Sequence, residues 1–194
     1  VTTTRLYVAD INRIHVYDIE SAAEVDTLAV ETAVFLNDLA FGPDGTLYAS
    51  DSFGQSVYAL APDSDPVIVV QDNVLDVPNG LLWRDDRLLV GSIGSFTDFE
   101  ADAPLHWLDV ATGTLDVVPD VRGKFDGLVN VDQGGWMTDF RGQLIWLQDE
   151  EANPYDLIEY GLMSSADLGY DPGDSTLVVP DLIGNQLAFV RLQP

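Results

Sequence analysis

Three residues in this chain have the type and spacing to do chemistry together: Asn37, Asn79 and Asp126. Each stands two places before a leucine (Leu39, Leu81, Leu128), inside a phrase that recurs with small changes. The phrase reads LNDLAFGPDGTLYASDS from Leu36, PNGLLWRDDRLLVGS from Pro78 and FDGLVNVDQGGWMTDF from Phe125. A fourth copy, SADLGYDPGDSTLVVPDL from Ser165, carries Ala166-Asp167 ahead of Leu168. Asn offers a neutral carbonyl oxygen and Asp a charged one, the hard donors that a cation such as Ca²⁺ takes in numbers of 6–8. Read singly, each residue equally suits a strand entry, where Asn and Asp bond the local backbone. The ring reading needs the copies to share one axis.

The elements that position these residues supply that axis. The register leucines are 42, 47 and 40 residues apart, and the intervening sequence is made of short strands and turns. That period and composition mark a β-propeller blade. The clearest copy reads as four strands: 38–43, 46–52, 56–62 and 66–72. Its PDG turn at 43–45 places glycine where a tight hairpin needs positive φ. No stretch shows helical periodicity. The expected fold class is all-β, a propeller of four-stranded antiparallel blades with about five blade units, treated as one domain over 1–194. The units run approximately 1–36, 37–78, 79–125, 126–165 and 166–194. The first and last hold three strands each, so about 18 strands are expected, and the chain is either an open-ended piece of a larger ring or a small propeller with imperfect closure. Open edges invite self-association or a covering partner chain. The long acidic insertion at 94–104 is expected to protrude as a loop, and DEEANPY (149–155) to form an acidic turn.

In a propeller the first strand of each blade lines the central channel. Asn37-Asp38, Asn79-Gly80, Asp126-Gly127 and Ala166-Asp167 therefore face one channel mouth. A second acid recurs at the end of the second strand: Asp10, Asp51, Asp139 and Asp181, with Ser92 in the remaining copy. An Asp before a turn accepts backbone N–H bonds, and these are read as structural.

The chain carries 33 acidic residues against 8 basic ones, a formal net charge of -25. Lys124 is its sole lysine. The charges are dispersed along the chain. They repel a polyanion, which argues against nucleic acid. A halophilic surface, screened by high salt, accounts for most of the acids, and local cation sites for a few. Cysteine is absent, so disulfides, thiolate nucleophiles and zinc–sulfur sites are excluded. His15 and His106, the only histidines, sit in strand-like surroundings and offer no catalytic triad. No apolar run approaches a membrane span, so no membrane partner is expected. No signal peptide is visible, and the start at Val1 suggests that an upstream segment is missing.

The run of LYVADINRIHVYD, FLNDLAFGPDGTLYASDS, VPNGLLW, FDGLV and SADLGYDPGDSTLVVPDLIGNQLAFVRL resembles the SMP-30/gluconolactonase/LRE family, most closely its exported bacterial members. The resemblance covers essentially the whole chain. It implies a six-bladed propeller with one divalent metal, usually Ca²⁺, in the channel, lactone hydrolysis, and a periplasmic or secreted location. By motif, the implied metal ligands are Asn37, Asn79 and Asp126, with Asp126 also credited with proton transfer. The family's remaining ligand, a Glu in a G-E-G-P motif, belongs to a segment this chain does not contain. Asp38 or Asp167 can stand in for that carboxylate. The functional expectation is a calcium-dependent lactonase acting on a lactone or similar small ester. The alternative is a non-catalytic propeller that binds a protein or small ligand.

Overall fold

The computed structural model describes residues 4–131, 134–148, 151–157 and 161–192, without the side chains of 151–155. Eighteen strands occur among them, all paired antiparallel in five sheets. The first sheet is β1 (Arg5–Asp10), β2 (Arg13–Asp18) and β3 (Glu24–Ala29). The second is β4 (Leu36–Phe41), β5 (Leu47–Asp51), β6 (Ser56–Leu60) and β7 (Val67–Gln71). The third is β8 (Pro78–Arg84), β9 (Arg87–Ser92), β10 (Ala103–Asp109) and β11 (Thr114–Gly123). The fourth is β12 (Phe125–Val131), β13 (Gly134–Asp139), β14 (Gln143–Gln148) and β15 (Glu151–Asp156). The fifth is β16 (Gly169–Asp171), β17 (Thr176–Asp181) and β18 (Gln186–Arg191). The grouping of three, four, four, four and three strands is the one read from the repeat, and the fold is a propeller of successive antiparallel blades.

Period-two alternation gives each inner sheet two apolar faces, and neighbouring sheets bury them against each other. One core cluster joins the first and second sheets around Ile14, Leu36, Ala49 and Tyr58. Another joins the second and third through Val57, Leu75, Leu88 and Leu108. Leu89, Leu105, Phe125 and Met137 bind the third to the fourth, and Leu144, Leu157, Leu177 and Val179 bind the fourth to the fifth. The outer faces of the end sheets stay open: Leu6 and Val8 on β1, Leu187 and Phe189 on β18 are exposed. Their counterparts Tyr7, Ala9, Ala188 and Val190 point inward.

Three of the recurring second-strand aspartates hold the blades in register, whereas Asp10 is exposed and faces His15 at 3.6 Å. Asp51, wholly buried, accepts the N–H groups of Val34 (2.8 Å), Phe35 (2.8 Å) and Gly54 (2.9 Å). It thereby clips the segment entering one blade to that blade's second turn. Asp139 repeats this with the N–H groups of Lys124 (3.0 Å) and Arg141 (2.9 Å). Asp181 does so with Met163, Ser164 (both 3.1 Å) and Gly184 (2.8 Å). Burial alone pushes the Asp181 carboxyl up, but the donors from Gly184, Met163, Gln186 and Ser164 outweigh it and hold the group below its ordinary range. Where Ser92 replaces the acid, its hydroxyl donates to the Leu75 carbonyl instead.

One local reading is corrected. Residues 151–155 belong to β15, the outermost strand of its sheet, and Pro154 lies opposite Ile145 there. An edge position tolerates proline because one side of the strand has no ladder partner. The insertion at 94–104 is a loop exposed over Phe96–Glu100, as expected, and is tethered at both ends. The buried Lys124 ammonium donates to the carbonyls of Ile93 (3.1 Å) and Ser95 (2.8 Å), and Arg141 pairs with Asp102 at 2.8 Å. The insertion is thus pinned against the fourth sheet, where backbone carbonyls satisfy the buried cation.

Candidate functional site

Three of the four candidate pairs sit in an irregularity at the start of an inner strand, and the fourth, Ala166-Asp167, lies just ahead of β16. The pairing of β4 with β5 shifts register between Leu36 and Leu39, that of β8 with β9 between Pro78 and Leu81, and that of β12 with β13 between Phe125 and Leu128. The residues inside the three shifts are Asn37-Asp38, Asn79-Gly80 and Asp126-Gly127. Such bulges interrupt the ladder and re-aim side chains, and they concentrate at barrel rims and active sites.

Hydroxyl groups staple these bulges together. Ser50 Oγ accepts the Asp38 N–H at 3.0 Å and donates to the Asn79 carbonyl of the next inner strand at 2.6 Å. Thr138 repeats the arrangement two blades on, accepting from Gly127 N–H at 2.8 Å and donating to the Ala166 carbonyl at 2.6 Å. Ser52 Oγ accepts from the Asn37 amide at 3.1 Å and donates to the Pro78 carbonyl at 2.8 Å. Sequence reasoning passed over these residues, although the doublets Ser50-Asp51 and Thr138-Asp139 recur in register. Glycine completes the approach. A Cβ on Gly80 would lie 2.0 Å from the Asp126 carbonyl oxygen, and one on Gly127 would lie 2.3 Å from the Leu168 nitrogen. The strands can close on the axis only without those side chains.

The inner strands surround a cavity of about 510 Å³. Its polar lining comes from Asn37, Asp38 and Asp167, and its walls include Tyr7, Leu39, Leu81, Leu128 and Leu168. Asp38 Oδ1 accepts Leu39 N–H and its Oδ2 accepts Leu81 N–H, both at 2.6 Å. Asp167 Oδ1 accepts Leu168 N–H at 2.7 Å. The Asp126 carboxyl receives no hydrogen bond among the described residues. Burial, and then the charge of Asp167, push it up to about 7. Asp38 is pushed well above the carboxylate range by burial and by the charges of Asp167 and Asp126, against the pull of its two backbone donors. Asp167 is also raised by burial, with Leu168 N–H opposing, although water reaches it through the channel. Like charges in a confined space disfavour joint ionisation. The structure therefore brings Asp38, Asp126 and Asp167 into one electrostatic group, with Asn37 on the same cavity.

Asn79 is buried, its Oδ1 has no hydrogen-bond partner among the described residues, and it does not line the cavity. An orphaned buried oxygen is costly, and it is a donor of the type a hard cation takes. Among the described residues, however, no three acidic or imidazole side chains gather closely enough to hold a metal ion by themselves. His106 is buried in β10 with both ring nitrogens unpartnered, and His15 pairs with Glu24 on β3. Neither is part of the aspartate group.

No protein-family model and no curated protein matches this sequence. Solved structures do. A chain of a nidogen/laminin complex is similar with a TM-score of 0.75 and 16% identity over 92% of this chain and 70% of that one. Virginiamycin B lyase from Staphylococcus aureus is similar with a TM-score of 0.74 and 10% identity, over 98% of this chain and 64% of that one. A streptogramin B lyase gives a TM-score of 0.61 and 11% identity, over 100% of this chain and 81% of that one. This chain thus spans about two thirds of the first two and four fifths of the third. At these identities the likeness is one of fold, and that fold is the propeller.

Proposed function

We propose that this propeller is a hydrolase of lactones or similar small esters, akin to the SMP-30/gluconolactonase family, and that it works with a divalent cation. The observation that carries the reading is the convergence of Asp38, Asp126 and Asp167 on the channel axis, beside a cavity of about 510 Å³ with carboxylate and leucine lining. A pocket of that size suits a small ligand. Asn37, Asn79 and Asp126 would hold the cation, with Asp38 or Asp167 as a further carboxylate. When bound, Ca²⁺ supplies Lewis-acid polarisation of the carbonyl.

The chain's own groups account for the proton movements. Asp126, raised to about 7, is ionised in part at neutral pH and takes a proton from a water molecule. The water oxygen bonds to the lactone carbonyl carbon, the ring C–O bond breaks, and Asp126 returns the proton to the departing alkoxide. The product is the open hydroxy acid.

A non-catalytic role in binding a protein partner is the second reading. It draws on the open apolar faces at Leu6, Val8, Leu187 and Phe189. Export to the periplasm or beyond belongs to the proposal as well, by family resemblance. The test is lactone turnover by the purified protein with Ca²⁺ and with a chelator. Turnover that the chelator abolishes, and that Asp126→Ala lacks, supports the hydrolase. Equal rates in protein and buffer would move the binding module into first place.

A further inference from the structure

The two rims of the propeller differ. Turns joining first to second strands are polar, as in Pro43–Gly45, Asp85-Asp86 and Pro172–Ser175. The opposite rim, where the inner strands begin, carries exposed apolar side chains from several blades: Phe35, Phe53, Phe96, Phe99, Leu182 and Ile183. In a chain of net charge -25 this concentration on one rim marks a binding surface. Three of these side chains form a continuous row. The ring centroids of Phe35 and Phe53 are 5.2 Å apart, and those of Phe53 and Phe96 5.7 Å. Their residues are 38%, 54% and 50% exposed.

The row begins at the channel. Phe35 lies two residues before Asn37, which lines the cavity, and the row then crosses the second blade to the insertion of the third. It is also held in place. The buried Asp51 carboxylate bonds the N–H of Phe35 and that of Gly54, next to Phe53. Lys124 anchors the Ile93 and Ser95 carbonyls beside Phe96. Rigid aromatic contacts cost little entropy on binding.

We infer that the Phe35–Phe53–Phe96 row binds the apolar arm of a ligand whose carbonyl head enters the aspartate channel, so that the preferred substrate is a lactone or ester with a linear alkyl or aryl chain. The choice of head group rests on the hydrolase reading; the apolar arm rests on the row, whose Phe35 stands two residues before the cavity-lining Asn37.

The test measures binding of two non-hydrolysable lactams, pyrrolidinone and its octyl-substituted derivative, by calorimetry on the full chain. The octyl probe should bind at least about tenfold more tightly. In the double variant Phe53→Ser/Phe96→Ser, checked for folding by its melting curve, that advantage should collapse. In Leu187→Ser/Phe189→Ser, which alters an equally exposed apolar patch on another face, it should persist. Equal affinity for the two probes, binding of neither, or an advantage that survives loss of Phe53 and Phe96 would overturn the inference. Lactone turnover is assayed in parallel. An octyl preference without turnover would remove the hydrolase and leave the apolar-arm site. Turnover without the preference would do the reverse.

Discussion

Asp38 Oδ2 accepts the backbone N–H of Leu81 at 2.6 Å, so a side chain from one blade's inner strand closes the backbone of the next. The same carboxyl is crowded by the charges of Asp167 and Asp126. Structural and electrostatic roles therefore meet in one residue, and the channel resists full ionisation while it holds the blades together.

This crowding has a signature in stability against pH. A carboxyl whose folded pKa is raised keeps its proton longer in the native state. Its stabilising contribution is complete below about pH 4 and is lost as pH rises through the folded value. For Asp126 that window runs from about 4 to about 7. Asp126→Asn should remove that loss and raise stability above pH 7, by up to about 4 kcal/mol if the whole shift is expressed. Urea unfolding from pH 4 to 8 measures it. An unchanged pH profile would show that Asp126 is not the buried group described.

The clip made by Asp51 gives a second prediction. Asp51→Ala leaves the N–H groups of Val34, Phe35 and Gly54 without their acceptor. A loss of about 1–3 kcal/mol is expected, because the three donors are only partly shielded from water. Chemical denaturation of the variant beside wild type provides the number.

Close approach at the axis gives a third. Gly127→Ala places a Cβ 2.3 Å from the Leu168 nitrogen and 2.6 Å from Asp167 Oδ1, against backbone that has little room to yield. A cost of about 1–3 kcal/mol is expected from such overpacking, roughly 2–12 °C in Tm for a chain of this length. Gly169→Ala, whose Cβ meets nothing within 4 Å, should sit near wild type.

The charge balance gives a fourth. With 33 acids against 8 bases, self-repulsion should weaken as salt screens it. The melting temperature should climb from low to molar NaCl. A flat or falling series would remove the halophilic account of the surface.

Much of the architecture was legible because the repeat writes it several times. The leucine register and the PDG-type turns marked the sheets of three, four, four, four and three strands. DEEANPY misled because acids and proline signal a turn, whereas β15 is an edge strand that accommodates both. The insertion was legible as an exposed loop, but its anchor was not, because Lys124 bonds backbone carbonyls and such partners leave no trace in side-chain type. At the site, register alone aligned Asn37, Asn79 and Asp126. The coupling of Asp126 to Asp38 and Asp167 arises from distance across blades and from burial, neither of which a linear sequence displays. The Ser50 and Thr138 staples were visible only as hydroxyl–Asp doublets, whose meaning depends on the bulge opposite them.

The aspartate channel itself is tested most directly by a carboxyl ¹³C titration of aspartate-labelled protein, with Asp126→Asn and Asp167→Asn used for assignment. One interacting group of three, half-buried at Asp38 and Asp126 and open to water at Asp167, predicts an Asp126 midpoint near 7, Asp38 and Asp167 above the ordinary carboxylate range, and a lower Asp126 midpoint once Asp167 is neutralised. Three independent midpoints near 4, unmoved by Asp167→Asn, would contradict it.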